Sequence, residues 1–137
     1  MLTATYIYNN LWALFTSANR ATFRLFNEHP LVADTIAEAE IVGGGYAGIM
    51  LDTNKWQREY TAPTAEAPAG EVVLSNKTVF TFGPATDTWE RIRYYGIQHS
   101  ARGMIWIFPV PEQLPIIVAG QSLSFPVGDI RLVQRDF

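Results

Sequence analysis

The residues of this chain that could do chemistry are few and scattered. Two histidines, His29 and His99, stand far apart in the sequence, and there is no cysteine. A histidine pair becomes a metal site with thiolates or clustered carboxylates beside it, and neither accompanies these two. Absence of cysteine also excludes disulfides and thiolate nucleophiles. Ser75, Ser100, Ser122 and Ser124 lack the Gly-x-Ser-x-Gly elbow that exposes a nucleophilic hydroxyl. The pairs Glu38 with Glu40 and Asp52 with Glu59 carry no signal separating an acid from a base. Gly43-Gly44-Gly45 invites comparison with phosphate-binding loops, which need a strand before, a helix after, or a Gly-Lys-Ser/Thr ending. Here Tyr46-Ala47-Gly48-Ile49-Met50 follows and reads as a strand. The glycines therefore read as a sharp turn or a close approach of two backbones. Asn76-Lys77-Thr78 fits the N-glycosylation pattern. Met1-Leu2-Thr3-Ala4 lacks the basic start of a secretory leader, so the match is expected to be fortuitous. The expectation is a protein that is not an enzyme and uses no metal or cofactor.

What remains is recognition. Arg91-Ile92-Arg93 puts two guanidinium groups on one strand face and Ile92 on the other; Arg131 and Arg135 repeat the arrangement. A guanidinium fork pairs bidentately with carboxylates. In a chain of net charge −3, these arginines read as partners for carboxylates on a neighbouring chain. The same acidic balance argues against a nucleic-acid grip, which needs a positive field. Trp12, Trp56, Trp89 and Trp106, with six tyrosines, could line a glycan-binding surface. Aromatics of an all-β domain more commonly serve core or subunit interface. Met104-Ile105-Trp106-Ile107-Phe108 is apolar on both faces, which suits a central strand or one packed against another subunit. The candidate interface residues are thus Arg91, Arg93, Trp106, Arg131 and Arg135.

These residues must be positioned by short strands. At 137 residues the chain is read as one domain, 1–137, with a sizeable core. Charged residues make up 17%, below the roughly one quarter usual in globular proteins, against 48% hydrophobic residues. Such a surface is hard to cover with polar groups, so part of it is expected against another chain. Glycine and proline punctuate apolar runs of sandwich or barrel length. Strands are expected near 12–16, 46–52, 71–74, 77–82, 89–98, 104–110, 115–118, 122–126 and 129–134. The expected core is Tyr46, Ile49, Phe80, Phe82, Ile92, Ile105, Ile107, Leu123, Phe125, Ile130 and Leu132. Helix is scarce: Pro30 could open a short one through 31–39, and 6–12 could form a helical turn. Residues 61–70 read as a surface loop. No apolar run is long enough to span a membrane.

The order of Ala13-Leu14-Phe15-Thr16, Glu40-(x)2-Gly43-Gly44-Gly45-Tyr46-Ala47, Phe82-(x)6-Trp89-(x)2-Ile92-(x)2-Tyr95-Gly96-Ile97 and Ala119-Gly120-(x)2-Leu123-Ser124-Phe125-Pro126-Val127-Gly128 resembles a family of small tailed-bacteriophage virion proteins. Members are described as capsid decoration (cement) or tail-fibre-like proteins. The resemblance runs over residues 11–134. It departs from the family at Gly48, where an arginine is common, at Gly103, where a Gly-Gly pair is usual, and in 17–39. It implies no catalytic residues. It implies an antiparallel β-sandwich with jelly-roll-like topology and at most one or two short helices. The implied function is structural: a decoration protein on the major capsid protein lattice of a virion assembled in a bacterial cytoplasm. The implied assembly is a homo-oligomer, with a trimer preferred. A tail, adaptor or fibre-associated subunit is the alternative within virions, and a glycan-binding module the alternative outside them.

Overall fold

The computed structural model describes residues 20–52, 54–62, 64–66, 70–110, 114 and 116–135, the last three as backbone alone. The expected strand at 12–16, the helical turn at 6–12 and Trp12 lie outside the described residues. The chain is all-β and antiparallel. Among the described residues its strands are β1 (Ala21–Phe26), β2 (Ile49–Met50), β3 (Trp56–Thr61), β4 (Glu71–Asn76), β5 (Phe80–Phe82), β6 (Tyr94–His99), β7 (Gly103–Pro109), β8 (Leu123–Phe125) and β9 (Arg131–Arg135), with a single-turn helix α1 (Ile36–Ala39). They form a four-stranded sheet in the order β2-β1-β6-β7, a three-stranded sheet β3-β4-β9 and a two-stranded pair β5-β8. The described residues gather into two compact units, one of 51–80 with 125–135, the other of 20–50 with 81–124.

In the first unit, β4 is the central strand. It pairs β3 from Trp56↔Asn76 to Thr61↔Glu71, and β9 from Glu71↔Arg135 to Ser75↔Arg131. Its residues are buried continuously from Val72 to Asn76, as befits a strand with neighbours on both edges. Leu51, Trp56, Leu74, Phe80, Ile130 and Leu132 are buried in the same unit, with Trp56 edge-on to Phe80 at 5.8 Å. β3 was not expected, because after Trp56 it runs through polar Gln57-Arg58-Glu59. Backbone bonding to β4 holds it, and its C-terminal half is exposed.

In the second unit, β1 pairs β6 over six residues, Ala21↔His99 to Phe26↔Tyr94, and β6 pairs β7 with a bulge at Ile97/Gln98. β1 also was unexpected, although Ala21, Phe23 and Leu25 alternate with Thr22 and Arg24 and are buried while those two are half-buried. Several expected strands are shorter than read, while β4 extends two residues beyond 71–74. Only Ile49–Met50 of 46–52 pairs, because Gly45 has φ +82° and turns the chain just before it. The segment 89–93 makes no ladder of its own: Trp89 N–H donates to Ile117 C=O at 2.9 Å in a loop, and Arg93 N–H to Phe26 C=O at 2.8 Å at the end of β1. Among the described residues of 115–118 no strand forms; Val118 N–H donates to the side chain of Gln121. The helix is one turn, opened by Thr35, whose Oγ1 accepts from Glu38 N–H at 3.1 Å. Pro30 lies before it in a turn. Of the expected core, Phe80, Phe82, Ile92, Ile130 and Leu132 are buried; Tyr46, Ile49, Ile105, Ile107, Leu123 and Phe125 are half-buried.

Candidate functional site

Arg91 and Arg93 are exposed and Ile92 between them is buried, so the alternation read from the sequence is present, though it precedes β6 rather than lying in it. Backbone bonds fix this stretch: Asn27 Nδ2 donates to Arg91 C=O at 2.8 Å, and Val110 N–H to Arg93 C=O at 2.9 Å. Among the described residues neither arginine has a carboxylate partner within the chain. Arg131 is also exposed. Arg135 stands at the register position opposite Glu71, and its side chain lies outside the described residues. Arg91, Arg93 and Trp106 belong to the second unit, Arg131 and Arg135 to the first.

Trp106 sits on β7, which is the edge of the four-stranded sheet and not its centre. Every residue from Gly103 to Phe108 is half-buried. Trp106 opens a row of rings that crosses the sheet. It contacts Phe108 at 5.6 Å; Phe108 stacks on Tyr95 at 5.1 Å; Tyr95 meets Phe23 at 5.6 Å; and Phe23 meets Phe82 at 5.6 Å. Tyr46 continues the row, stacked on Phe82 at 6.0 Å and edge-on to Trp89 at 5.7 Å. Such pairs contribute on the order of 0.5–1.5 kcal/mol each beyond their burial, which makes the row a stiff support for β7. Cross-strand register produces it: Ile97↔Trp106 and Tyr95↔Phe108 share the face of Phe23. The single-sequence pattern could reveal the alternation within a strand but not this pairing across three.

Trp56 and Trp89 are both buried, at 1% exposure, so neither offers a face to a sugar. The glycan-binding alternative, which drew on the tryptophans, loses these two. Asn76 of the glycosylation pattern is wholly buried, with its Nδ2 donating to Thr78 C=O at 2.9 Å and Pro126 C=O at 2.8 Å. That nitrogen is not open to modification in the folded protein.

One charged cluster escaped the sequence reading because its members are spread over three elements. Glu40 accepts from Arg24 Nη1 at 2.8 Å and from the Tyr46 hydroxyl at 2.8 Å, and that hydroxyl in turn accepts from Leu25 N–H at 3.1 Å. Burial pushes the Tyr46 phenol well above its ordinary range; the Leu25 amide opposes this and the Glu40 charge reinforces it. A phenol whose folded-state value is raised supports the fold fully below its unfolded value, about 10, and that support drains away as pH climbs past it. Alkaline titration followed at the phenolate absorbance should therefore contain a late-ionising component that Tyr46→Phe removes. Among the described residues, no group of three or more His, Asp or Glu side chains is placed to hold a metal. The glycine run is a packing device. Trp89 Nε1 donates to Gly44 C=O at 2.8 Å, Thr86 N–H to the same oxygen at 3.0 Å, and a Cβ at Gly43 would fall on the Trp89 indole.

Comparison with protein-family models, with curated proteins and with solved structures finds no match to this chain.

Proposed function

We propose that this protein is a non-catalytic structural subunit of a tailed-phage virion that decorates the major capsid lattice as a homo-oligomer. The β-sandwich of jelly-roll-like topology expected from the sequence belongs to the same proposal. The observation that carries the reading is the pairing of an apolar, half-buried edge strand, β7, with two exposed arginines, Arg91 and Arg93, that have no carboxylate partner among the described residues. Surfaces of that kind suit contacts made on assembly: an apolar patch excludes water, and arginines supply orientation at its rim. A decoration protein strengthens a shell by many modest symmetric contacts and needs no reacting group. The sequence resemblance supplies the virion context.

The test is the number of copies in purified particles, by quantitative mass spectrometry. On the order of hundreds of copies is the outcome for a shell protein, as repeated lattice sites require. A handful to a few dozen would move the protein to the tail, and its absence would end the virion reading. Reversing both charges, Arg91→Glu with Arg93→Glu, should leave the isolated fold intact and cut the bound copies several-fold.

A further inference from the structure

We propose that β7 pairs with the β7 strand of a second copy, antiparallel across a two-fold axis, joining the two four-stranded sheets into one of eight strands. The hydrogen-bond parity of the sheet shows what β7 offers. Ser100 N–H donates to Arg20 C=O at 2.7 Å, one step beyond the Ala21↔His99 pair. In an antiparallel ladder, bonded and non-bonded pairs alternate, so Tyr94, Gly96 and Gln98 bond toward β1, while Tyr95 and Ile97 bond toward β7. Their register partners Phe108 and Trp106 face inward, and Val110 N–H on Arg93 C=O follows the same parity. The N–H and C=O of Ile107 therefore point away from β6. Among the described residues β7 has β6 as its one strand partner.

Natural edge strands are shielded by charges, prolines or bulges. From Gly103 through Val110 there is no charged residue. The register steps from Ile97↔Trp106 to Gln98↔Met104, so the bulge sets Ile105 as an extra residue on β7 itself, and Pro109 removes an outward N–H near the strand's other end. Between bulge and proline, the outward N–H and C=O of Ile107 have no strand partner among the described residues.

The occupant follows from the other edge of the same sheet, which is β2, two residues long. β2 covers Thr22 and Phe23; Tyr46 takes Leu25 N–H; Ile41 N–H takes Leu25 C=O at 3.1 Å; and Glu40 bridges Phe26. Head-to-tail addition of copies through this sheet would set the seven residues of β7 against a strand of two. Pairing of β7 with itself needs only the open edge. A two-fold makes each outward donor meet the equivalent acceptor of the other copy, and a neutral strand sets no like charges against each other. Association of this kind gives even-numbered assemblies, not the trimer that the resemblance implies. It stands on the edge alone and is independent of the virion reading.

Sedimentation of the purified full chain tests it. At tens of micromolar, a range that reveals interfaces of micromolar affinity, the wild type should sediment with twice the chain mass. Ile107→Pro removes an outward N–H and no bond to β6, so it should sediment as a monomer with an unchanged circular dichroism spectrum. Ile107→Lys, which adds an edge charge, should do the same and decides the matter if the proline variant does not fold. A monomeric wild type, a three-fold mass, or a dimer that survives a folded edge variant overturns the proposal, whatever the copy number in particles.

Discussion

Replacing Asn76 by aspartate should destabilise the protein at neutral pH at least as much as replacing it by alanine, although only one atom's identity changes. The side chain of Asn76 ties together three pieces of the first unit. Its Oδ1 accepts from Ile130 N–H at 3.0 Å, while Nδ2 donates to the carbonyls of Thr78 and Pro126. Its backbone adds Gly128 N–H to Asn76 C=O and Asn76 N–H to Ile130 C=O, at 3.0 and 3.2 Å. These bonds fix where β9 starts, because the next pair along is Ser75↔Arg131. Alanine leaves the Ile130 amide and two carbonyls without their partner, at about 1–3 kcal/mol for each group that water does not reach. Thr78 and Pro126 are exposed residues and can recover some solvation, so about 2–4 kcal/mol is expected overall. That is a large share of a typical stability of about 5–15 kcal/mol. Aspartate keeps the acceptor for Ile130 but turns an acceptor toward two carbonyl oxygens in a buried site. Its folded-state value is thereby raised above about 3.9. A raised carboxyl stabilises the folded form below its unfolded value and loses that contribution as pH rises. The deficit of Asn76→Asp should accordingly shrink between pH 7 and pH 4, whereas that of Asn76→Ala should stay constant. Urea denaturation at the two pH values measures both, and an Asn76→Asp variant as stable as wild type at pH 7 would refute the role.

Asn76 also shows where reading the sequence stopped short. The pattern Asn-Lys-Thr carried a local meaning, whereas the residue's role lies in bonds to Pro126 and Ile130, far along the chain. The all-β class was legible because glycine and proline divide the apolar runs into strand-sized pieces, and β4, β7, β8 and β9 fall where those runs fall. β1 carries a clear two-residue alternation, yet it sits in a stretch otherwise rich in polar and turn residues that obscure it. β3 carries almost no apolar signal, since its partner supplies backbone bonds in place of side-chain burial. The segment near 115–118 shows the opposite failure. Ile116 and Val118 are exposed and Ile117 is buried, a strand's alternation, but its carbonyl at Ile117 serves the Trp89 amide instead of a neighbouring strand. Of the candidate interface, the exposure of Arg91, Arg93 and Arg131 followed from charge and alternation. That β7 lies at an edge depended on strand order, which no local pattern encodes. Apolarity on both faces left central and subunit-facing positions open, and the topology rules out the central one.

Substitution of the glycine run should separate two kinds of damage that glycines usually confound. Gly45 has φ +82°, and a Cβ there would also collide with the carbonyl oxygen of Pro84. Gly120, in the same unit, has φ +87° with open space around it. Gly120→Ala should therefore show the backbone penalty alone, about 1–2 kcal/mol. Gly45→Ala should show that penalty plus the displacement of the Pro84 backbone, for a total of about 2–5 kcal/mol when an overpacking term of about 1–3 kcal/mol is added. Gly43→Ala supplies the complementary case, with no positive φ but a Cβ directed onto the Trp89 indole. Trp89 cannot yield easily, since its Nε1 is bonded to Gly44 C=O and its amide to Ile117 C=O. The ring is buried, and Tyr46 packs against it at the end of the aromatic row. Displacing it should reach Tyr46 and quench or shift the tryptophan emission, a readout that Gly120→Ala leaves untouched. Thermal unfolding monitored by near-ultraviolet circular dichroism orders the three variants. Gly45→Ala no less stable than Gly120→Ala would mean that the close approach to Pro84 contributes nothing, and that the glycines serve the turn alone.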